Sequence, residues 1–252
     1  MKTVVQKGIA GLGNRFQVLG YCFDIAKSKN AKLLVDWRDS SWKDNFSNYF
    51  ISDIILDFED GEYPDIKPEW WSDKINSKVA KNAAKKEFVG EWKTLVICQY
   101  NAKYSDEIFK HIDFHTRIYD KYSVLGFPPA NEYDCWHIRA TDKTAGDPFA
   151  ILKKIIDNKT PNYKVIITDN LDIKNEAIKN NIVCQSVIPP VPKKYGVHHS
   201  TDEYLIKNNI TRRDLNDSAL VDLLIGKNAT NFYSTCENSS FSQLIIKMRN
   251  VK

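Results

Sequence analysis

The chain has 252 residues, 42% of them hydrophobic and 27% charged, which excludes the disordered and collagen-like classes and allows one large or two small α/β domains. Its formal charge of +4 is the small difference between 36 Lys+Arg and 32 Asp+Glu, and basic runs such as "KNAAKK" (81–86) are short and scattered. A nucleic-acid-binding surface is therefore not expected.

The first element is the β-branched run "TVVQ" (3–6), followed by "KGIAGLGNR" (7–15) and by Phe16, Leu19, Phe23 and Ala26 at helical spacing. With "AKLLVDW" (31–37) this reads as strand, Gly-rich turn, helix, strand, the order of a right-handed parallel βαβ unit. Gly8, Gly11 and Gly13 are spaced G-x-x-G-x-G, which is not the dinucleotide fingerprint. A strand feeding a glycine turn that opens a helix still turns backbone N–H groups toward an anion, the alternative being a tight turn that requires positive φ. Asn14 and Arg15 favour the ligand reading, since both donate to phosphate or sugar.

Residues 38–92 carry many aromatics, Asp and Lys around "DGEYPDIKPEWW" (60–71), and predict short helices and loops. Their aromatics and neighbours (Trp37, Trp42, Tyr49, Trp70, Trp71, Trp92) either stack on sugar rings or, the commoner fate, pack into a core. "KTLVICQY" (93–100) predicts a strand and "DEIFKHIDFHTRIYDKYSVLGF" (106–127) a helical stretch stopped by Pro128-Pro129. A domain boundary is placed there, giving 1–128 and 129–252.

The second half alternates more cleanly. "EYDCWHIRA" (132–140), "YKVIITD" (163–169), "IVCQSVI" (182–188) and "TNFYST" (230–235) read as strands. "DPFAILKKIIDNK" (147–159), "DIKNEAIKNN" (172–181), "DLNDSALVDLLIGKN" (214–228) and "SSFSQLIIKMRN" (239–250) read as helices. Two α/β halves, each with its own parallel sheet, follow from the order.

In "WHIRATDK" (136–143), alternation sends His137 and Arg139 to one face of the strand and Trp136 and Ile138 to the other. Arg139 to Lys143 fall beyond the carboxyl end of the strand, where open α/β sheets gather ligands. A guanidinium there holds a diphosphate with two hydrogen bonds, or else Arg139 merely pairs with Asp142. Asp147 stands before Pro148 and an apolar helix, so it is either an N-cap or a general base. Asp222 lies within "ALVDLLIG" (219–226), where a ligand donor pair such as guanine N1–H and N2–H₂ would satisfy it, the alternative being a solvent-facing stripe. Ser239 and Ser240 open the final helix as caps or phosphate ligands.

Absences also discriminate. The sequence has no Asp-x-Asp, which disfavours a nucleotide clamped through a divalent metal, and no Walker A, Gly-x-Ser-x-Gly or His-Glu-x-x-His motif. Five widely spaced cysteines (Cys22, Cys98, Cys135, Cys184, Cys236) without Cys-x-x-Cys indicate neither zinc nor a disulfide framework. No apolar run matches a signal-peptide core or the roughly 18 residues of a bilayer span, so a soluble, cytoplasmic protein is expected.

"GLGNRFQVLGYCFDIAKSKNAKLLVDW" (11–37), "HIRATDK" (137–143) and "VDLLIGKNATNFYSTCENSSFSQL" (221–244), with "VIITDN" (165–170) and "GVHHST" (196–201), resemble in order the motifs of the GDP-fucose-dependent fucosyltransferases. The resemblance implies a GT-B fold, two Rossmann-like domains with the donor in their cleft. It also implies inverting transfer of fucose from GDP-fucose to a saccharide hydroxyl, without a metal or further cofactor. Arg139 would hold the β-phosphate, His137 and His198 would line the nucleotide site, and Asp222 would pair with guanine. Gly11, Gly13, Asn14, Arg15, Ser239 and Ser240 would complete the donor site. Asp147 would act as base, with Asp142 and Lys143 relaying the proton or positioning the loop. Ala140 departs from the pattern, standing where α1,6 members carry a second arginine. The same fold serving another nucleotide sugar, or a non-catalytic glycan- or nucleotide-binding module, are the alternatives. The chain's shortness points to a bacterial or viral type of enzyme, and its oligomeric state is not legible.

Overall fold

The computed structural model describes residues 1–39, 41–59, 66–67 (backbone), 91–99, 102–126, 129–130, 132–141, 146–188, 197 and 200–251. They form two compact units, Met1–His115 and Thr116–Asn250.

In the first unit, strand β1 (Thr3–Lys7) leads into helix α1 (Leu12–Lys29) and returns as β2 (Lys32–Asp36), pairing in parallel from Thr3↔Lys32 to Lys7↔Asp36. This is the βαβ unit read from the sequence. The short β3 (Phe50–Ile51), β4 (Ile55–Asp57) and β5 (Ile66–Lys67) precede β6 (Thr94–Ile97). The main sheet runs β4-β2-β1-β6-β5 with every neighbouring pair parallel.

Its core is aromatic. Trp37 is wholly buried, with Phe16, Trp42, Phe46 and Phe50 around it at centroid distances of 5.2–5.9 Å, mostly edge to face. Trp37, Trp42, Tyr49 and Trp92 are all buried, so these four aromatics are core rather than a sugar platform. Trp70 and Trp71 lie outside the described residues.

The continuous helix expected over 106–127 is broken. A 3₁₀ turn (Asp106–His111) gives way to β7 (Asp113–Phe114), antiparallel to β3, before α2 (Thr116–Val124). Phe114 is buried against Phe50 with ring centroids 5.5 Å apart, and that burial overrides a helical period which is only a weak local preference. α2 belongs to the second unit, where Arg117 and Lys121 both donate to the buried carboxylate of Asp217.

The second unit is built on β8 (Tyr133–Ile138), β9 (Tyr163–Thr168) and β10 (Asn231–Ser234), in the order β10-β8-β9 and parallel throughout. Its helices are α3 (Pro148–Asp157), α4 (Leu171–Lys179), α5 (Asp202–Lys207), α6 (Arg212–Asn228) and α7 (Ser240–Asn250). Every residue of β8 is buried, as expected of a central parallel strand covered on both faces. Trp136, Ile138 and Ala140 pack with Leu152, Ile155, Ile166 and Ile173 on one face. On the other, the Tyr133 hydroxyl donates to the Ile225 carbonyl at 2.8 Å. "IVCQSVI" does not become a strand: it contributes a single bridge, Val183 to Val165, and its later residues leave the sheet. Among the described residues no helix is long and apolar enough to cross a membrane.

Candidate functional site

A parallel sheet places all its strand ends on one edge, and in the second unit that edge carries the polar residues. Asp169, one residue past β9, takes three donors: the Ala140 N–H at 2.8 Å, the Thr141 hydroxyl, and Arg139 Nε, which lies 3.1 Å from its Oδ2. The turn after β8 is therefore held by a carboxylate of the neighbouring strand, and the anchor grips Arg139 by its Nε. Asp169 had no role assigned from sequence, although a carboxylate directly after an apolar parallel strand is the signal that finds it. Ala140, besides giving its N–H to Asp169, has its side chain in the apolar cluster.

His137 ends the buried face of β8. It is 3% exposed, its Nδ1 is 2.6 Å from Ser242 Oγ, and its ring lies edge-on to Phe241. Burial, with Arg139 nearby, lowers its pKa to about 3, so the imidazole is neutral at any working pH. Ser239 caps α7: its Oγ accepts the Ser242 N–H at 3.3 Å and its own N–H donates to the Cys236 carbonyl. Ser240 is the first residue of that helix and half-buried.

Asp222 reaches the same edge from α6. The Ser186 hydroxyl donates to its Oδ1 at 3.0 Å, the Thr168 N–H points to that hydroxyl at 3.4 Å, and Thr168 Oγ1 donates to the Ile138 carbonyl at 2.8 Å. A continuous polar path thus joins Asp222 to the end of β8. Burial pushes the Asp222 carboxyl up to about 7, with the Ser186 bond and Lys174 pulling the other way. Asp147 is the N-cap of α3, Oδ1 accepting the Phe149 N–H at 3.0 Å with Pro148 next, and it is exposed. Asp142, Lys143 and His198 lie outside the described residues.

In the first unit neither Gly8, Gly11 nor Gly13 has the positive φ of the tight-turn alternative. Gly11 caps α1 in extended conformation (φ −72°) and Gly13 is buried inside the helix. The left-handed residue is Ala10, at φ 64°. Gly8 is required for space, since a Cβ there would lie 2.2 Å from Arg15 Nη1 and 2.4 Å from Trp37 Cδ1. Asn14 lies in the first turn of α1, half-buried.

Arg15 is turned inward. Its Nε donates to the Ala10 carbonyl at 3.0 Å, and its Nη2 to Asp39 at 2.5 Å and Ser41 at 2.8 Å. The guanidinium sits 5.4 and 5.6 Å from the Trp37 and Trp42 rings. With its side chain fully buried, Arg15 braces the β2 loop. Beside it Lys7 and Asp36, partners in the β1–β2 register, form a buried ion pair at 2.6 Å. Burial raises the Asp36 carboxyl, but the Arg38 and Lys7 bonds outweigh it and hold it below the ordinary value.

No protein-family model and no curated protein matches the chain. Solved structures do. A NodZ α1,6-fucosyltransferase co-crystallized with GDP is 17% identical with a TM-score of 0.65, over 97% of this chain and 91% of that one. Fucosyltransferase NodZ from Bradyrhizobium is 16% identical with a TM-score of 0.67 over the same shares. An Arabidopsis thaliana FUT1 variant in complex with GDP is 13% identical with a TM-score of 0.56, covering 100% of this chain and 69% of that one. At these identities the likeness is one of fold, and the fold of this chain is that of these fucosyltransferase structures.

Proposed function

We propose that the chain is a fucosyltransferase of GT-B type, moving fucose from GDP-fucose to a hydroxyl of a glycan acceptor with inversion and without a metal. The observation that carries this reading is the convergence of Arg139, His137, Asp222 and the start of α7 on the carboxyl edge of β10-β8-β9. That edge is where α/β sheets take nucleotides. Arg139, paired through Nε with Asp169, would hold the β-phosphate and stabilise the charge that develops on departing GDP. N–H groups at the start of α7 assist, as helix N-termini do with phosphates. Asp222 accepts guanine N1–H and N2–H₂. Asp147 takes the acceptor proton, with Asp142 and Lys143 beside it in sequence.

The test is isothermal titration of the full chain with GDP, GDP-fucose, GDP-mannose and UDP-glucose, chelator present throughout. Preference for GDP and GDP-fucose supports the reading. Preference for another nucleotide keeps the fold and overturns the donor, and no binding to any of the four overturns the enzyme reading in favour of a degenerate module.

A further inference from the structure

Three elements of the second unit converge on Ser186, which is 2% exposed. Lys174 of α4 donates from Nζ to its carbonyl at 2.7 Å, and the Thr168 N–H at the end of β9 points to its hydroxyl oxygen at 3.4 Å. From α6, Ser218 Oγ accepts the Val187 N–H at 2.7 Å and Asp222 Oδ1 accepts the Ser186 hydroxyl at 3.0 Å. Ser218 and Asp222 stand four residues apart, so one face of the helix holds the segment at two points. Among the described residues Ser186 is the one hydrogen-bond donor to Asp222.

An ionised carboxylate can only accept, so in that state the Ser186 proton runs to Asp222. The titratable groups that act on Asp222 among the described residues are Lys174 and the thiols of Cys135, in β8, and Cys184. Burial keeps both thiols neutral, pushing Cys184 up to about 12. Cys184 also lies within hydrogen-bonding reach of Ser186, but a neutral sulfur competes weakly with a carboxylate for a hydroxyl. Burial drives the Asp222 carboxyl upward, and Ser186 and Lys174 are what hold it back.

We infer that Ser186 is a positioning residue for Asp222, its hydroxyl fixing the rotation of the carboxyl and supplying the hydrogen bond that favours the carboxylate form. The use of that carboxylate for guanine rests on the nucleotide reading above; the action of Ser186 on its ionisation does not.

The carboxyl is read by ¹³Cγ titration of the full chain labelled at aspartate, with Asp222→Asn identifying the resonance. Ser186→Ala is expected to move the midpoint up by at least about one pH unit, the worth of one hydrogen bond to a charged group, while Ser186→Thr keeps the hydroxyl and restores it. Lys174→Met should move it up as well, since it removes the cation and keeps the length of the side chain. A midpoint unmoved in Ser186→Ala overturns the inference. GDP is the probe for the ligand half. Its Kd in Ser186→Ala should rise about tenfold or more at pH 6 and several-fold less at pH 8, where more of the carboxyl is ionised in both forms. A loss of the same size at both pH values overturns the ionisation role in favour of simple packing. A midpoint that moves as expected in a chain that binds no GDP overturns the nucleotide reading while leaving the action of Ser186 on Asp222 standing.

Discussion

Asp222 and Asp147 show how little the identity of a residue says until its surroundings are known. Both are aspartates near helix ends or faces, yet one is pushed up to about 7 by burial and the other is an exposed cap. If Asp222 pairs with guanine, only its ionised carboxylate accepts from both N–H groups, and binding below pH 7 then expels its proton. GDP affinity is expected to climb from pH 5.5 to about 7 and level off, with proton release detected by titration in buffers of different ionisation enthalpy; Asp222→Asn should flatten the profile and weaken binding. Folding carries the opposite sign. A carboxyl raised in the folded state stabilises it below the unfolded value of 3.8, and this contribution is lost as pH rises toward 7. The loss is at most about 4 kcal/mol, and Asp222→Asn should regain part of it at pH 8 in urea titrations. For Asp147 the cap and base roles separate cleanly, because asparagine caps as well as aspartate. Asp147→Asn should leave the Tm within about 2 °C, since exposed changes with the cap kept cost under about 0.5 kcal/mol, while kcat should fall roughly 10²-fold if Asp147 is the base. Full turnover in that variant would return Asp147 to a purely structural role.

At the scale of elements, what was legible depended on whether an element's sequence reflects its own geometry or that of a distant partner. β8 and β9 read correctly because buried parallel strands are nearly continuous apolar runs, and the chemistry after them stands out as a break in hydrophobicity. α3 and α7 declared themselves by caps and period. "DEIFKHIDFH" did not, since the antiparallel pairing of Asp113–Phe114 with Phe50–Ile51 is set by residues about sixty positions away. The polar pins Ser186 and Ser242 were invisible in their roles for the same reason: each acts on a residue of another element. The glycine turn was legible as a turn but not in its physics. Its left-handed residue is Ala10, and its indispensable glycine is Gly8, which makes room for Arg15. Gly8→Ala is therefore expected to destabilise the chain by about 1–3 kcal/mol through overpacking. Ala10→Gly relieves a left-handed residue and should be neutral or stabilising by up to about 1 kcal/mol. Urea denaturation of the two single variants decides, and equal effects would refute the assignment of which position needs glycine.

For the molecule as a whole, 17% identity with a NodZ structure over 97% of the chain means that few side chains are shared and the course of the backbone is. Whatever chemistry goes with that course must therefore be tested on features the fold fixes, chiefly the carboxyl edge of β10-β8-β9. The acceptor need not be known for this, because water is itself an acceptor. If a single displacement occurs at the fucose anomeric carbon while Arg139 holds the leaving diphosphate, slow hydrolysis of β-linked GDP-fucose releases α-fucose first. The β form follows by mutarotation, and real-time NMR with chelator present resolves the two. Arg139→Ala should slow this hydrolysis by about 10²–10³-fold, the range lost when one preorganised donor to developing charge is removed. Since the anchoring bonds from Ala140 and Thr141 to Asp169 do not involve the Arg139 side chain, the fold should survive that change, and a normal urea midpoint would tie the lost rate to the guanidinium. Initial release of β-fucose would instead require two displacements and a carboxylate nucleophile, and would overturn the inverting reading while leaving the donor assignment intact.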